Sequence, residues 1–550
     1  MPSSISSAKR GDSSTGQDAG RTSVALLDGS CALSREALGN KAHGINLMRR
    51  LGMPVPPAFC LTTDLCAAYL SGDQHALDGV WPATMEAVRW LEDETSRKFG
   101  RGPRPLLLSV RSGAAASMPG MLDTVLNLGI NDAVHDALAS SATAEFASDT
   151  RARFGALYRR IVLGSGVSAD IPDDPVIQLR RAIEAVFASW NSPRAVAYRA
   201  HHGLDDSAGT AVVVQAMVFG NLRRDSGTGV LFSRNPATGA DEPMGEWLPG
   251  AQGEDVVSGA FDCLPLDVLR HAQPRVFEEL TSAAAELERL GRDIQDIEFT
   301  IEEGRLWLLQ TRIAKRSAQA AVRLALAFRK AGLINDVETL RRVAPEHIRA
   351  LLSPAVQPET RLAAALLATG LPACPGVASG TAYADIDAAL DAADNEDVIL
   401  VRTSTSPDDV AGMIAARAIV TELGGATSHA AVVSRELGLP AVVGCGAGAA
   451  AALDGRSITV DGGAGEVYDG VLELTAWSEL DSPDLVALTE LALRISPLRA
   501  HATGAHPVLA DASEPVVREA MRTGLTDVIS DVPLIAMLTA VALAGRSDDG

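Results

Sequence analysis

Lysine is scarce in this sequence, and arginine supplies nearly all of its positive charge. Acidic residues outnumber basic ones, 69 to 48, which leaves a formal net charge of −21. That balance argues against a nucleic-acid surface, because a phosphate backbone would be repelled overall. The six cysteines (Cys31, Cys60, Cys66, Cys263, Cys374 and Cys445) contain no CxxC pair and are scattered, so a reduced, cytoplasmic protein is expected. No apolar run is long enough to span a bilayer, so no membrane partner is expected. The first 22 residues are polar and lack the apolar stretch of a signal peptide; they read as a disordered tail. There is no internal repeat.

What is present is a 550-residue chain, 47% hydrophobic and 21% charged, too long for one core. Between Ser23 and about Arg316 the pattern is mixed α and β. Strand-like runs occur at Pro105–Val110, Thr210–Val218 and Gly229–Ser233. Leu179, Ile183, Val186 and Phe187 lie at helical spacing and predict a helix over Gln178–Trp190. Residues 317–367 are Ala-, Leu- and Arg-rich, broken by Pro345 and Pro354, and read as a helical connector. A small α/β domain follows over 368–475, with strands at Val398–Val401, Ala418–Thr421, Ala441–Val443 and Ile458–Val460. Residues 476–550 suggest a short β-α-β-α segment built from Pro507–Ala510, Glu514–Thr523, Asp527–Ser530 and Pro533–Ala544. An α/β multidomain protein is expected.

Two stretches carry chemistry. In TELGGATSHAAVVSRELGLPAVVGC (Thr421–Cys445) a strand ends at Thr421, Gly424-Gly425 permit a tight turn, and a helix starts near His429. A helix N-terminus stabilises negative charge, which suits an imidazole that carries a phosphoryl group. Thr427 or Ser428 could donate a hydrogen bond to that group. Spacing alone leaves a polar Ser-His cap over a packed helix equally open. In DIEFTIEEGRLWLLQTR (Asp296–Arg312) two alternating runs flank Glu302-Glu303-Gly304, a hairpin signal. A turn centred on Gly304 sets Asp296 opposite Arg312 and Glu298 opposite Gln310, with Ile297, Phe299, Leu309 and Thr311 on the other face. Such an oxygen-rich face suits Mg²⁺ on nucleotide phosphates, but an ordinary Asp–Arg cross-strand pair is equally consistent.

The motif GGxTSHAAVVxRxLGxPAVVG resembles the phosphohistidine signature of phosphoenolpyruvate-utilising enzymes. LGNKAHGINLMRRLGMPVPPAF (Leu38–Phe59), LLLSVRSGAAASMPGMLDTVLNLGIND (Leu106–Asp132), GTAVVVQAMVFGNLRRDSGTGVLFSRNPATG (Gly209–Gly239) and GEWLPGAQGEDVVSG (Gly245–Gly259) are similar, in order, to segments of the pyruvate, phosphate dikinase family. The resemblance runs from about Ser23 to Leu474. It implies an ATP-grasp nucleotide-binding domain over 23–316 and a swivelling phosphohistidine domain over 368–475. By it, His429 is the catalytic phosphoryl carrier and Thr427 a regulatory candidate. Lys41, Arg111, Arg153, Gln215, Ser226, Gly227, Thr228, Gly229, Glu246, Gln252, Glu254, Asp296, Glu298, Gln310 and Arg312 are ATP-binding, and Glu298 and Gln310 hold Mg²⁺. The Asp225–Gly229 stretch is expected to bring backbone N–H groups to phosphates.

The sequence departs from the family in three places. Ser404 stands where a Glu is usual, and Leu423 where Arg is usual. After Leu474 the signatures of the (β/α)₈ barrel that binds pyruvate or phosphoenolpyruvate are missing, and 75 or so residues are too few for one. The implied reaction uses ATP and inorganic phosphate to phosphorylate His429, giving AMP and pyrophosphate. Onward transfer goes to pyruvate, with a separate acceptor-domain protein as a partner that could supply the barrel. A half-enzyme serving another phosphoryl acceptor, or a non-catalytic nucleotide-binding regulator, stay open as alternatives.

Overall fold

The computed structural model describes residues 23–548 except positions 74, 117, 119–120, 165–169, 258–260, 262, 353–354 and 476–481. The expected tail and the break at Pro354 lie outside the described residues. Two compact units are present. One comprises the chain up to Val218 with Trp307–Gln310, the other Phe219–Leu306 with Thr311 onward.

The first unit is built on β1 (Val24–Leu26), α1 (Arg35–Arg50), β2 (Ala58–Leu61), β3 (Leu108–Gly113), β4 (Thr124–Leu128), α2 (Ala144–Tyr158), α3 (Pro175–Ala188) and β5 (Ala211–Ala216). Its sheet has the order β1-β2-β5-β3-β4 and is antiparallel throughout. The Val-rich β5 lies at its centre, buried along its length, as expected of a strand covered on both faces. In α3 the predicted stripe of Leu179, Ile183, Val186 and Phe187 is buried. That helix starts three residues earlier than the spacing suggests, because Asp174 caps Val176 N (2.8 Å) and Pro175 takes the first turn. Helix α1 is kinked at Gly39 (φ 70°), where a Cβ would fall 1.5 Å from the carbonyl oxygen of Gly113. Only glycine fits that approach.

The second unit opens with β6 (Gly227–Phe232), β7 (Met244–Pro249), β8 (Leu264–Pro265), α4 (Pro274–Gly291) and β9 (Gln295–Glu302); β10 (Arg305–Ile313) follows, its residues Trp307–Gln310 being those counted with the first unit, and the sheet order is β8-β7-β6-β9-β10. The predicted hairpin is β9–β10. Glu303 and Gly304 both have positive φ (51° and 73°), the requirement of a tight two-residue turn. Helices α5 (Ala318–Lys330), α6 (Asp336–Arg341) and α7 (Pro345–Leu351) follow.

An eight-stranded mixed sheet comes next: β11 (Leu366–Thr369), β12 (Leu371–Cys374), β13 (Val377–Tyr383), β14 (Val398–Arg402), β15 (Ala418–Thr421), β16 (Ala441–Val443), β17 (Ser457–Asp461) and β18 (Glu466–Asp469), with α8 (His429–Leu437) between β15 and β16. The order is β11-β18-β17-β13-β14-β15-β16-β12, and β13 through β16 are parallel. Alternation puts Val398 and Leu400 of β14 into one core and Ile399 and Val401 into another, on the opposite face. Apolar runs without polar alternation are therefore what this sheet needs. Ala430, Ala431 and Val433 of α8 belong to the first of these cores.

The chain closes with α9 (Pro483–Ile495), β19 (Arg499–His501), α10 (Glu514–Arg522), β20 (Asp527–Ile529) and α11 (Pro533–Asp548). The expected strand at Pro507–Ala510 is a correction. It makes only an isolated bridge, Val508 to Ile529, and β19 is the strand that pairs with β20. Pro507 has no N–H for a ladder, and Val508 is 77% exposed. Val322, Ala325, Leu340, Val343 and Ile348, from the stretch read as a connector, share one core with Leu485, Leu488, Val517, Leu534 and Val541. No helix among the described residues is long and apolar enough to cross a membrane, and all six cysteines are free thiols.

Leu488→Ala would leave a cavity in that shared core and is expected to cost about 2–5 kcal/mol. Hydrogen exchange should show amides of α5 and α7 losing protection together with those of α9 and α11. Loss confined to α9 and α11 would show two independent bodies.

Candidate active site

His429 is the first residue of α8, whose cap is Ser428: its side chain accepts from Ala431 N (3.4 Å). Its Nδ1 lies 3.1 Å from the Thr405 hydroxyl. Its Nε2 is sealed from solvent and has no hydrogen-bond partner among the described residues. Burial pushes the imidazole pKa down to about 4, against a smaller upward pull from Asp409. The ring is therefore neutral at physiological pH, with one nitrogen held and the other uncommitted. Asp409 fixes the loop that carries Thr405: it accepts from Ser406 N (2.5 Å) and from Arg402 Nη2 (3.3 Å).

The turn before His429 is held by a carboxylate far away in sequence. Glu246 of β7 accepts from Ala426 N through Oε1 (2.7 Å), and from Thr427 N (3.3 Å) and the Thr427 hydroxyl through Oε2. Glu246 is 8% exposed and Thr427 3%. A Cβ on Gly425 would lie 1.8 Å from Glu246 Oε1, so the missing side chain is what admits the carboxylate. Around this contact the Arg435 guanidinium donates to Ala373 O (3.2 Å) and Ala426 O (3.0 Å) and sits 5.5 Å above the Phe232 ring. Burial lowers its pKa to about 10, partly offset by Cys374, Asp296 and Glu246. Lys315 donates to the buried Glu436 (2.6 Å). Glu246 and Thr427 were both expected from sequence, but in unrelated roles; the structure joins them.

The expected nucleotide residues divide into groups. Lys41 follows the α1 kink, and a Cβ on Gly113 would lie 3.3 Å from the Lys41 Cβ. Arg111 is two residues before Gly113 on β3 and therefore on the same face. Gln215, opposite Ser109, shares that face, with its amide donating to Pro56 O (3.1 Å). Arg153 lies on α2 in a charge pair with Asp149 (2.9 Å). On β9–β10, Asp296 and Arg312 form an ion pair (2.7 Å), so the cross-strand pairing left open by the sequence is present. Burial pushes the Asp296 carboxyl above its ordinary value, opposed by Arg312. The Gln310 side-chain oxygen is buried with no hydrogen-bond partner among the described residues. Gln252 is buried, its amide donating to Asn221 (3.4 Å), and Glu254 is half-buried on the adjoining helical turn.

The stretch Gly227-Thr228-Gly229 differs from expectation. It runs in β6, paired with β7 on one side and β9 on the other, so its N–H groups serve ladders and form no phosphate cradle. A Cβ at Gly227 would strike the Trp247 ring (2.6 Å) and one at Gly229 the Phe299 ring (2.5 Å); packing explains these glycines. Ser226 precedes the strand, and its hydroxyl accepts from Glu303 N (3.0 Å). Sequence reasoning missed Thr405, Gly425 and Arg435 as parts of the His429 setting. Gly425 and Arg435 lie in the Thr421–Cys445 motif and Thr405 follows Ser404, but nothing in spacing marks them as neighbours of His429 or Glu246.

Residues 77–274 match the family profile of the pyruvate phosphate dikinase AMP/ATP-binding domain, and residues 394–465 that of the PEP-utilising enzyme mobile domain. The chain thus matches one dikinase nucleotide-binding profile and one PEP-utilising mobile-domain profile. Pyruvate, phosphate dikinase of Rhizobium meliloti (strain 1021) is 40% identical over 513 residues, covering 80% of this chain and 57% of the relative. The Clostridium symbiosum protein of that name is 39% identical over 499 residues, with the same coverages. The chloroplastic pyruvate, phosphate dikinase 1 of Oryza sativa subsp. japonica is 41% identical over 454 residues, covering 75% and 48%. The chain thus spans about half the length of the curated relatives it matches. A solution structure of Enzyme I (nEIt) aligns over 17% of this chain and 36% of its own at 30% identity, with a TM-score of 0.12, too low to bear on the fold.

Two outcomes follow. Gly425→Ala is expected to force the loop off Glu246 and raise the rate of His429 carbethoxylation by diethyl pyrocarbonate by roughly tenfold or more, the worth of a charge-assisted hydrogen bond; an unchanged rate would show that this contact does not close the site. The depressed pKa of His429 also sets a pH dependence. Between about 4 and the unfolded value of about 6.5 the unfolded chain binds a proton that the folded chain does not. Its contribution to stability is therefore complete above about pH 6.5 and declines as pH falls toward 4. Urea midpoints at pH 7 and pH 5 should differ less for His429→Gln than for the wild type.

Proposed function

We propose that this chain is an ATP-dependent phosphotransferase of the pyruvate, phosphate dikinase type, with His429 Nε2 as nucleophile. The observation that carries this reading is the state of that imidazole: neutral, with Nδ1 beside the Thr405 hydroxyl and Nε2 free, at the N-terminus of α8. If Thr405 accepts from Nδ1–H, the lone pair is left on Nε2, the condition for attack. Nε2 bonds to the β-phosphorus of ATP and AMP departs with the bridging oxygen. Inorganic phosphate then takes the γ-phosphoryl group as pyrophosphate, which leaves one phosphoryl group on His429. The free N–H groups at the start of α8 suit its charge.

In this reading residues 23–316 are an ATP-grasp domain, 317–367 a linking region and 368–475 a swivelling phosphohistidine domain; 476–550 are assigned no step. Lys41 and Arg111 balance triphosphate charge, with Arg153, Gln215, Ser226, Thr228, Gln252, Glu254, Asp296 and Arg312 as further nucleotide contacts. Magnesium fits the donor set of Glu298 and Gln310, since the Gln310 side-chain oxygen is buried without a partner and oxygen is what this ion takes. When bound, the ion offsets charge on the β- and γ-phosphates. Glu246, expected as a nucleotide contact, instead holds the 425–427 turn, so delivery and withdrawal of His429 entail making and breaking that contact. Pyruvate is the proposed onward acceptor, as in the relatives' name, and the cytoplasm the proposed location.

ATP labelled at the β-phosphate, with inorganic phosphate and Mg²⁺, should leave an acid-labile, base-stable label on the wild type and none on His429→Ala. Pyruvate should then discharge it as phosphoenolpyruvate. ATP turnover without protein label would overturn the phosphohistidine step, and a label that pyruvate leaves in place would show a half-enzyme whose onward transfer needs another chain or another acceptor.

A further inference from the structure

Away from the site described above, the C-terminal part of the chain holds a group of side chains with metal-ligand chemistry. His501 ends β19, Asp527 opens the parallel strand β20, and His506 lies five residues beyond His501. Each offers one donor atom, and the three atoms lie within 4.8 Å of one another. His501 Nε2 is 3.1 Å from Asp527 Oδ1. The His506 ring stacks on that of His501, with centroids 5.1 Å apart and planes 24° from parallel. Gly504, at φ 146°, turns the chain so that the second imidazole comes back over the first.

We propose that His501, His506 and Asp527 bind one first-row transition-metal ion of the Zn²⁺ type. Two imidazoles and a carboxylate suit Zn²⁺, Ni²⁺ or Cu²⁺, whereas Mg²⁺ and Ca²⁺ prefer oxygen alone. With metal–ligand bonds of about 2.0–2.2 Å, tetrahedral geometry sets neighbouring donors about 3.3 Å apart. The His501–Asp527 edge already spans 3.1 Å. The remaining convergence falls to His506, on the exposed stretch 502–506, which has room to move. Arg499 Nη2 (2.6 Å) and Thr526 Oγ1 (3.0 Å) both donate to Asp527 Oδ2, which orients the carboxylate and leaves Oδ1 for the ion. The nearby Arg499 charge weakens the site relative to a closed structural zinc centre. Three protein ligands leave a fourth position to water. The bound ion ties the 502–506 loop to β19 and β20, and none of this depends on the proposed phosphotransfer.

Chelator-treated full-length protein titrated with ZnCl₂ by calorimetry should bind one ion per chain at this site and unfold at a higher temperature, and MgCl₂ at the same concentration should not compete with that ion. His506→Ala, a change at an exposed residue, should weaken Zn²⁺ binding at least roughly tenfold and abolish the thermal shift. Asp527→Asn should weaken binding as well. Absence of Zn²⁺ binding, or binding that survives His506→Ala at full strength and so belongs to thiols such as Cys31 or Cys263, would overturn the assignment.

Discussion

The carboxylate of Glu246 has been taken out of water, and the donors that compensate it come from one short turn, at Ala426 and Thr427. Removing a charge from solvent is expensive unless hydrogen bonds replace the lost hydration. The placement of His429 follows from that requirement, since the turn that satisfies Glu246 is also the entry to α8. The absence of a side chain at Gly425 is the steric half of the same constraint. Arg435 brings opposite charge toward the carboxylate.

Backbone N–H groups of this kind form a general anion site. A phosphoryl group on His429 would bring a second anion to the chain just after the turn whose N–H groups at Ala426 and Thr427 already serve the Glu246 carboxylate. Like charges repel, so modification of the imidazole works against that contact and not with it. The depressed imidazole pKa has a different source: burial disfavours the cationic ring more than Asp409 favours it, and a neutral ring keeps a lone pair to offer.

Much of this was legible from residue order. Strands β15 and β16 fell on short Val, Ile and Ala runs, the first ending at Thr421 and the second just before Gly444, and α8 began at His429 because Ser428 is a natural cap. The hairpin was visible because alternation and Glu-Gly occur together. What could not be read was contact at long range. Glu246 and Thr427 are 181 positions apart, and a carboxylate inside GEWLP carries no sign that it will meet a turn near a histidine. Gly227 and Gly229 looked like a flexible cradle, and only the rings of Trp247 and Phe299 reveal why they lack side chains. The pairing of β19 with β20 was hidden because proline and valine at 507–508 resemble a strand until the missing N–H is counted.

The shared core of α5–α7 with α9–α11 has a practical side. Every residue matched to a dikinase motif lies before position 475, so a shortened protein ending there would keep all of those residues. It would also strip Val322, Leu340, Val343 and Ile348 of the helices that cover them, and present water with a continuous oily face. Such a fragment would clump before its chemistry could be assayed. The last seventy residues act as a cover for the middle of the molecule, whatever else they do.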